Sequence, residues 1–287
     1  MNEFYPEDKW VVVNGLRLHY LYWGGDMTLK PLILTHGIGG NAHDFDAFAR
    51  RMSDHWRVFA LDARGCGDSD WSREGYAVES FASDVAQFAA QLGLLPFDYY
   101  GHTRGSRTGI ALGAFHGNIV DHLVLGDHGP LPDPSPRGTR IAQERLSSST
   151  RERPKGFFTP QAALDRHRGL DADATDAKLW DTIRRTYRTN WDGILVPKSD
   201  PEIGWLLGRT GLKEGTLLWE CMGRIPCKTL VLRGEESHVL DREQAQKMAQ
   251  TIPNGNGSFD EVPFAGHGLH QDNMDATVNM IRGFILD

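Results

Sequence analysis

The sequence predicts an α/β fold in which a mostly parallel central sheet is flanked by helices and carries an inserted helical cap. Short apolar segments that suit buried strands alternate with amphipathic segments before residue 130, and the alternation resumes near residue 223. Between these parts, after a proline-rich stretch at residues 130–136, charged helical segments rich in Arg and Trp take over. We therefore expect residues 1–130 and 223–287 to form the α/β core and residues 131–222 to form the cap.

A β-hairpin is predicted at the start of the core. Residues 9–13 and 16–23 are rich in β-branched and aromatic side chains, which favour strands. Asn14 and Gly15 between them form a dipeptide that accepts a positive φ in a tight turn.

Strands and helices then alternate through the first part of the core. We expect strands at residues 31–35, 57–61, 97–100 and 122–127, and helices at residues 44–52, 78–92 and 108–114. The helix at 78–92 has apolar residues at spacings of three and four, so one of its faces is apolar. This order is typical of a parallel sheet covered by helices.

The cap and the second part of the core follow. In the cap we expect helices at residues 139–146, 160–167 and 177–191, with no strand among them, and we expect its tryptophans to anchor these helices. The core then continues with a strand at 229–233, a helix at 242–251, a strand at 257–263 and a helix at 275–286.

Composition excludes several classes of function. The formal net charge of −7 and the lack of a basic run argue against a nucleic-acid partner. No apolar stretch approaches the roughly 18 residues of a membrane span. The acidic N-terminus has no hydrophobic signal core, and the three cysteines have no metal-like spacing, so we expect a cytoplasmic protein with free thiols.

The most informative motif is the stretch from Gly101 to Gly105, with Thr103 at its centre. A strand that turns sharply between glycines into a helix is typical of a nucleophile elbow. Three further motifs follow other strands: residues 36–39, 62–69 and 265–268. These four motifs in this order resemble those of the α/β-hydrolase fold superfamily, and the resemblance covers nearly the whole chain.

The resemblance implies a nucleophile, an acid and a histidine in that chain order. Thr103 holds the nucleophile position, where serine is usual, and His267 matches the general base. The backbone N–H groups of Ile38 and Arg104 match the oxyanion donors. Thr103 is a secondary alcohol on a β-branched carbon, so two interpretations stay open: a covalent nucleophile, or a hydrogen-bonding contact to a ligand.

The acid position is the second departure from the family. By the resemblance, His238 stands where an aspartate is common, and a histidine cannot serve as a permanent carboxylate beside His267. Asp127, Glu235 and Glu236 are the available replacements, and Asp127 is slightly favoured.

The remaining residues of the predicted site are expected to line the substrate pocket. They are His36, Gly37, His102 and His128. The set His102, His238 and His267 could resemble metal ligands, but a histidine beside the elbow is frequent in the family, so we expect neither a metal nor a cofactor.

The resemblance therefore predicts an enzyme that hydrolyses an ester, a lactone or a related bond of a small, apolar or aromatic substrate. One alternative is a non-hydrolytic relative, such as a lyase, cyclase, decarboxylase or cofactor-free oxygenase, that uses the histidine base without an acyl-enzyme. A ligand-binding pseudoenzyme is the other, since the fold alone does not fix the function. The oligomeric state is not predicted.

Overall fold

The structure, a computed structural model, describes residues 5–73, 75–131, 156–170 and 172–286, with side chains described outside residues 204–213. Its strands are β1 (Glu7–Val13), β2 (Leu16–Tyr22), β3 (Pro31–Thr35), β4 (Arg57–Leu61), β5 (Phe97–His102), β6 (Val120–Gly126), β7 (Tyr187–Thr189), β8 (Leu195–Pro197), β9 (Lys228–Gly234) and β10 (Gly257–Val262). Its α-helices are α1 (Asp46–Met52), α2 (Val78–Gln91), α3 (Arg104–His116), α4 (Pro160–Arg168), α5 (Asp176–Thr186), α6 (Pro201–Met222), α7 (Arg242–Thr251), α8 (Leu269–Asp272) and α9 (Met274–Leu286).

Eight of these strands form one sheet in the order β1-β2-β4-β3-β5-β6-β9-β10. Strand β2 pairs antiparallel with β1 and with β4. From β4 to β10, every neighbouring pair is parallel. The predicted fold class, a mostly parallel sheet flanked by helices, is confirmed.

The opening hairpin forms where the sequence predicts it. Asn14 and Gly15 have φ angles of 49° and 74°, which is the left-handed region that this dipeptide tolerates.

The sheet is buried on both faces. Along β3, Ile33 packs into one hydrophobic cluster with side chains of α2 and α3, whereas Leu32 and Leu34 pack into a second cluster with side chains of α1 and α9. Successive side chains of a strand point to opposite faces, so each strand contributes to both clusters. This burial explains why the strands are continuous apolar segments in the sequence.

The region predicted as a cap contains helices and a small sheet. Helix α4 agrees with the prediction for residues 160–167, but the helix predicted over 177–191 ends at Thr186, because β7 begins there and pairs antiparallel with β8. The expectation of no strand in this region is therefore wrong. The side chain of Asn190 accepts hydrogen bonds from the N–H groups of Asp192 and Ile194 and closes the turn between these strands.

Strands of three residues are too short to show the alternation that identifies a strand in a sequence. At the same turn, Trp191 is fully exposed, so it anchors no helix. The predicted helix at 139–146 lies outside the described residues, and the boundaries of the cap stay a prediction.

No helix within the described ranges combines the length and the apolar composition that a membrane span needs.

Candidate active site

The elbow is a strained turn between β5 and α3. Thr103 has φ 52° and ψ −109°, which is unusual for a β-branched residue. Its N–H donates to the carbonyl of Gly126 at 2.8 Å. A Cβ atom on Gly101 would lie 2.1 Å from the carbonyl oxygen of Gly105, and one on Gly105 would lie 2.2 Å from that of Thr35. The glycines at both ends are therefore required by close backbone contacts, which hold Thr103 at the tip.

The methyl group of Thr103 lies against the loop that follows β3. A Cβ atom on Gly37 would be only 2.0 Å from Cγ2 of Thr103, but 3.7 Å from its Oγ1. Among the described residues, no hydrogen bond joins Thr103 Oγ1 to His267. Gly37 is thus the residue that makes room for threonine at the elbow.

His267 and Asp127 form the central pair of the site. His267 follows β10 and Asp127 follows β6, and Nδ1 of the histidine lies 2.7 Å from Oδ2 of the aspartate. Because a carboxylate accepts only, Nδ1 carries the proton and Nε2 is left as a base. The structure therefore brings together these two predicted residues, which are 140 positions apart in the chain.

Two further donors hold the Asp127 carboxylate, which is fully buried. The N–H of Gly234 donates to Oδ1 at 3.1 Å, and the hydroxyl of Ser237 donates to Oδ2 at 2.5 Å. Together these hydrogen bonds fix the plane of the carboxylate.

Ser237 is a site residue that the sequence analysis missed. Its neighbour His238 is half-buried and is not a hydrogen-bond partner of Asp127 or His267 among the described residues. Glu235 and Glu236, the other candidate acids, are exposed. The sequence signal for this contact was a hydroxyl residue three positions after Gly234, the glycine that ends β9. The turn at this point faces the end of β6, where Asp127 lies.

Two buried histidines support the His267 loop. Nε2 of His102 donates to the carbonyl of His267 at 2.6 Å, and the two rings lie 5.1 Å apart. Nδ1 of His270 accepts a hydrogen bond from the hydroxyl of Tyr100, and the ring of His270 packs against that of His102. Burial lowers the pKa of His102 to about 4 and that of His270 to about 3, so both are neutral near pH 7.

His36 shapes the predicted oxyanion loop rather than presenting free nitrogens. Its Nδ1 donates to the carbonyl of Gly37 at 2.6 Å, and its Nε2 accepts from the N–H of Ala63 at 3.1 Å. The N–H of Gly40 closes the same turn on Gly37. The backbone N–H of Ile38 lies within this turn, and its role as a donor stays a prediction.

His128 lies beside the acid in the loop after β6. Its Nδ1 donates to the carbonyl of Gly129 at 2.9 Å. The hydroxyl of Ser106 donates to the backbone carbonyl of His128. Burial, with the positive charge of Arg107 second, holds the pKa of His128 well below its ordinary value. The imidazole is therefore neutral, with Nε2 as an acceptor.

One group of described residues has ligand atoms close enough to hold a metal ion: His19, Asp62 and Asp68. Both nitrogens of His19 are already hydrogen-bonded, to Asp62 and Asp8. Asp62 also accepts the N–H groups of Ala42 and Asp68. This network joins β2 to the loop after β4 and lies outside the elbow.

Known proteins share both the sequence pattern and the fold. A sequence model of the alpha/beta hydrolase fold matches residues 30–273. A 3-hydroxybutyrate-oligomer hydrolase from Cupriavidus necator is 28% identical over 271 residues, covering 88% of this chain and 87% of that protein. An sn-1-specific diacylglycerol lipase from Mus musculus is 25% identical, covering 94% of this chain and 85% of that protein.

Among solved structures, E-2-(acetamidomethylene)succinate hydrolase superposes with a TM-score of 0.81 at 22% identity, covering 98% of this chain and 100% of that chain. At this identity the likeness concerns the fold.

Proposed function

The chain belongs to the alpha/beta hydrolase fold family and is an enzyme of it, and we propose that it hydrolyses an ester, lactone or related bond with Thr103, His267 and Asp127. The observation that carries the proposal is the 2.7 Å contact between His267 Nδ1 and Asp127 Oδ2 at the edge of the sheet where the Thr103 elbow lies. Such a pair leaves Nε2 of the histidine as a general base, which is what an alcohol needs before it can attack.

The proposed reaction has two halves. His267 Nε2 takes the proton of Thr103 while Oγ1 attacks the carbonyl carbon, and the negative oxygen is stabilised by the N–H groups of Ile38 and Arg104. The bond to the leaving alcohol breaks as His267 returns the proton to it. Water, deprotonated by His267, then attacks the acyl group, the bond to Oγ1 breaks as His267 returns the proton to Oγ1, and the carboxylic acid leaves.

Asp127 is our assignment for the acid, in place of His238. Its carboxylate contacts His267 and is held by Gly234 and Ser237. The charge of this carboxylate stabilises the imidazolium that forms in both halves of the reaction.

The position of the Thr103 methyl favours a second candidate. With Cγ2 against Gly37 and no described hydrogen bond from Oγ1 to His267, the base can act directly on a substrate or on water. A non-hydrolytic reaction of this kind uses His267 without an acyl-enzyme. The first mechanism requires a different staggered rotamer of Thr103, one that brings Oγ1 to Nε2 of His267.

Substitution separates the two candidates. The hydrolytic proposal predicts that Thr103→Ala and His267→Ala each lower kcat/KM for a short-chain ester by at least about a thousandfold. Thr103→Ser retains activity, because it keeps the hydroxyl and removes the crowding methyl. If Thr103→Ala is only mildly impaired while His267→Ala is inactive, the second candidate replaces the first.

Two tryptophans of the region predicted as a cap pack against hydrophobic clusters and do not identify the substrate. Trp180 packs in a hydrophobic cluster formed by side chains of α4 and α5. Trp219 packs against the hydrophobic cluster that contains Ile33. An apolar or aromatic substrate therefore stays a prediction.

A further inference from the structure

A buried cluster of charged side chains joins the elbow helix α3 to helix α6. NH1 of Arg104 lies 2.8 Å from Oε2 of Glu214, and NH2 of Arg107 lies 2.9 Å from the same oxygen. The three residues are 7%, 5% and 8% exposed. Arg104 also donates to the carbonyl of Tyr76, and Arg107 donates to that of Pro130.

The charges of this cluster do not balance. Arg104 and Arg107 carry one positive charge each and Glu214 carries one negative charge, so one positive charge is in excess among the described residues. In addition, Nε of both arginines is buried without a hydrogen-bond partner in the described part of the chain. An uncompensated buried charge and unpaired buried donors are both costly, and together they call for an anion.

The cluster lies beside the proposed catalytic groups. Arg104 directly follows Thr103, and its backbone N–H is the proposed oxyanion donor. Arg107 donates to carbonyls of the loop that begins at Asp127, and its charge contributes to the lowered pKa of His128. The side chain of Arg104 is therefore carried by the residue next to the proposed nucleophile.

We propose that Arg104 and Arg107 bind a carboxylate on the acyl part of the substrate, so that the enzyme selects acids that carry an ester or a related bond. This inference rests on the proposed function, since it names the substrate class of the same site. A monoanionic carboxylate brings the formal charge of the cluster to neutrality, and carboxylate oxygens accept hydrogen bonds from guanidinium N–H groups. Glu214 bridges the two guanidinium groups through Oε2 and holds them in place.

Two esters test the proposal. Monoethyl glutarate and ethyl pentanoate have acyl chains of equal carbon number, and they differ in a terminal carboxylate in place of a methyl. At matched ionic strength, we expect the wild-type enzyme to show a kcat/KM at least about tenfold higher for monoethyl glutarate. Equal values, or a preference for ethyl pentanoate, would overturn the proposal.

Substitutions assign the preference to the cluster. Arg107→Gln keeps much of the side-chain length and removes the charge, so the ratio of the two kcat/KM values should fall at least about fivefold. Glu214→Gln removes the competing carboxylate and should raise that ratio. Arg242→Gln is the matched control: Arg242 is exposed and pairs with Glu261, so the ratio should not change. A ratio that is the same in all three variants contradicts the assignment.

A binding measurement separates this inference from the proposed function. Calorimetry with glutarate, which needs no turnover, should give a Kd that is at least about tenfold weaker in Arg107→Gln than in the wild type. If Arg107→Gln does not fold, Glu214→Gln should bind glutarate more tightly than the wild type. If glutarate binding depends on these residues but neither ester is hydrolysed, the proposed function is wrong and the inference stands. If glutarate does not bind, or binds equally to the variants, the inference is wrong.

Discussion

Nδ1 of His267 donates to Oδ2 of Asp127 at 2.7 Å, although the two residues follow different strands. This contact fixes the tautomer of the histidine and leaves Nε2 as an acceptor, which we propose is the general base. In this proposal Asp127 serves as the acid, because the usual acid position after β9 is held by His238.

Asp127→Asn should lower kcat by roughly a thousandfold or more, because an amide neither compensates the imidazolium nor selects the correct tautomer. Steady-state hydrolysis of a short-chain ester measures the effect. Glu236→Gln is the matched control, since this carboxylate is exposed in the loop after β9 and its loss should leave kcat within about twofold. If Glu236→Gln lost activity and Asp127→Asn kept it, Glu236 would be the acid.

Ser237→Ala should lower kcat by about tenfold with little change in KM, because the hydroxyl that donates to Asp127 is lost and the carboxylate is less firmly oriented. Ser237→Thr restores the donor and should recover most of the activity. If both variants are equally impaired, Ser237 acts through packing and not through its hydrogen bond.

Gly105→Ala should lower the free energy of unfolding by more than about 2 kcal/mol, because its Cβ would lie 2.2 Å from the carbonyl oxygen of Thr35. Urea denaturation measures the change. Gly283→Ala is the control: Gly283 is exposed in α9 with open space around its Cα, so alanine should stabilise the protein by about 0.5–1 kcal/mol.

Protein stability should fall as the pH decreases from about 6.5 toward 4. The buried rings of His102 and His270 stay neutral in the native state, with pKa values lowered to about 4 and about 3, whereas the unfolded chain takes up protons below about 6.5. The unfolded state therefore binds more protons in this interval, and His102 alone contributes a loss of up to about 3 kcal/mol by pH 4.

Urea unfolding at a series of pH values checks this prediction. His270→Gln should make the dependence of the unfolding free energy on pH shallower by about one proton between pH 6 and 4. His55→Gln removes an exposed histidine and should leave the slope unchanged. Parallel curves for wild type and His270→Gln would show that the two states bind equal numbers of protons there.

Much of the core could be predicted because its signals are local. Strands buried on both faces are continuous apolar segments, so β3 and β4 have the predicted bounds, and the glycine-flanked Thr103 identified the elbow. The hairpin of β7 and β8 was missed because three residues cannot show a period of two.

The contacts within the site are not local, and this limited their prediction. Ser237 reaches Asp127 across 110 positions, and Arg104 reaches Glu214 across 110 positions as well. A contact between residues so far apart in the chain has no characteristic spacing, so a single sequence does not predict it. Asp127 was one of several candidate acids, and its contact with His267 depends on the positions of the strand ends in the fold.

The proposed role of Thr103 as the nucleophile can be tested by mapping the acyl group during turnover. Wild-type protein is mixed with a short-chain ester, quenched in acid within the first turnovers, digested and analysed by mass spectrometry. We expect an acyl adduct on Thr103 that is absent in Thr103→Ala, and that stays below detection in Asp127→Asn because acylation is slow. Full ester hydrolysis by Thr103→Ala, with no adduct on the wild-type protein, would show that Thr103 is not the nucleophile.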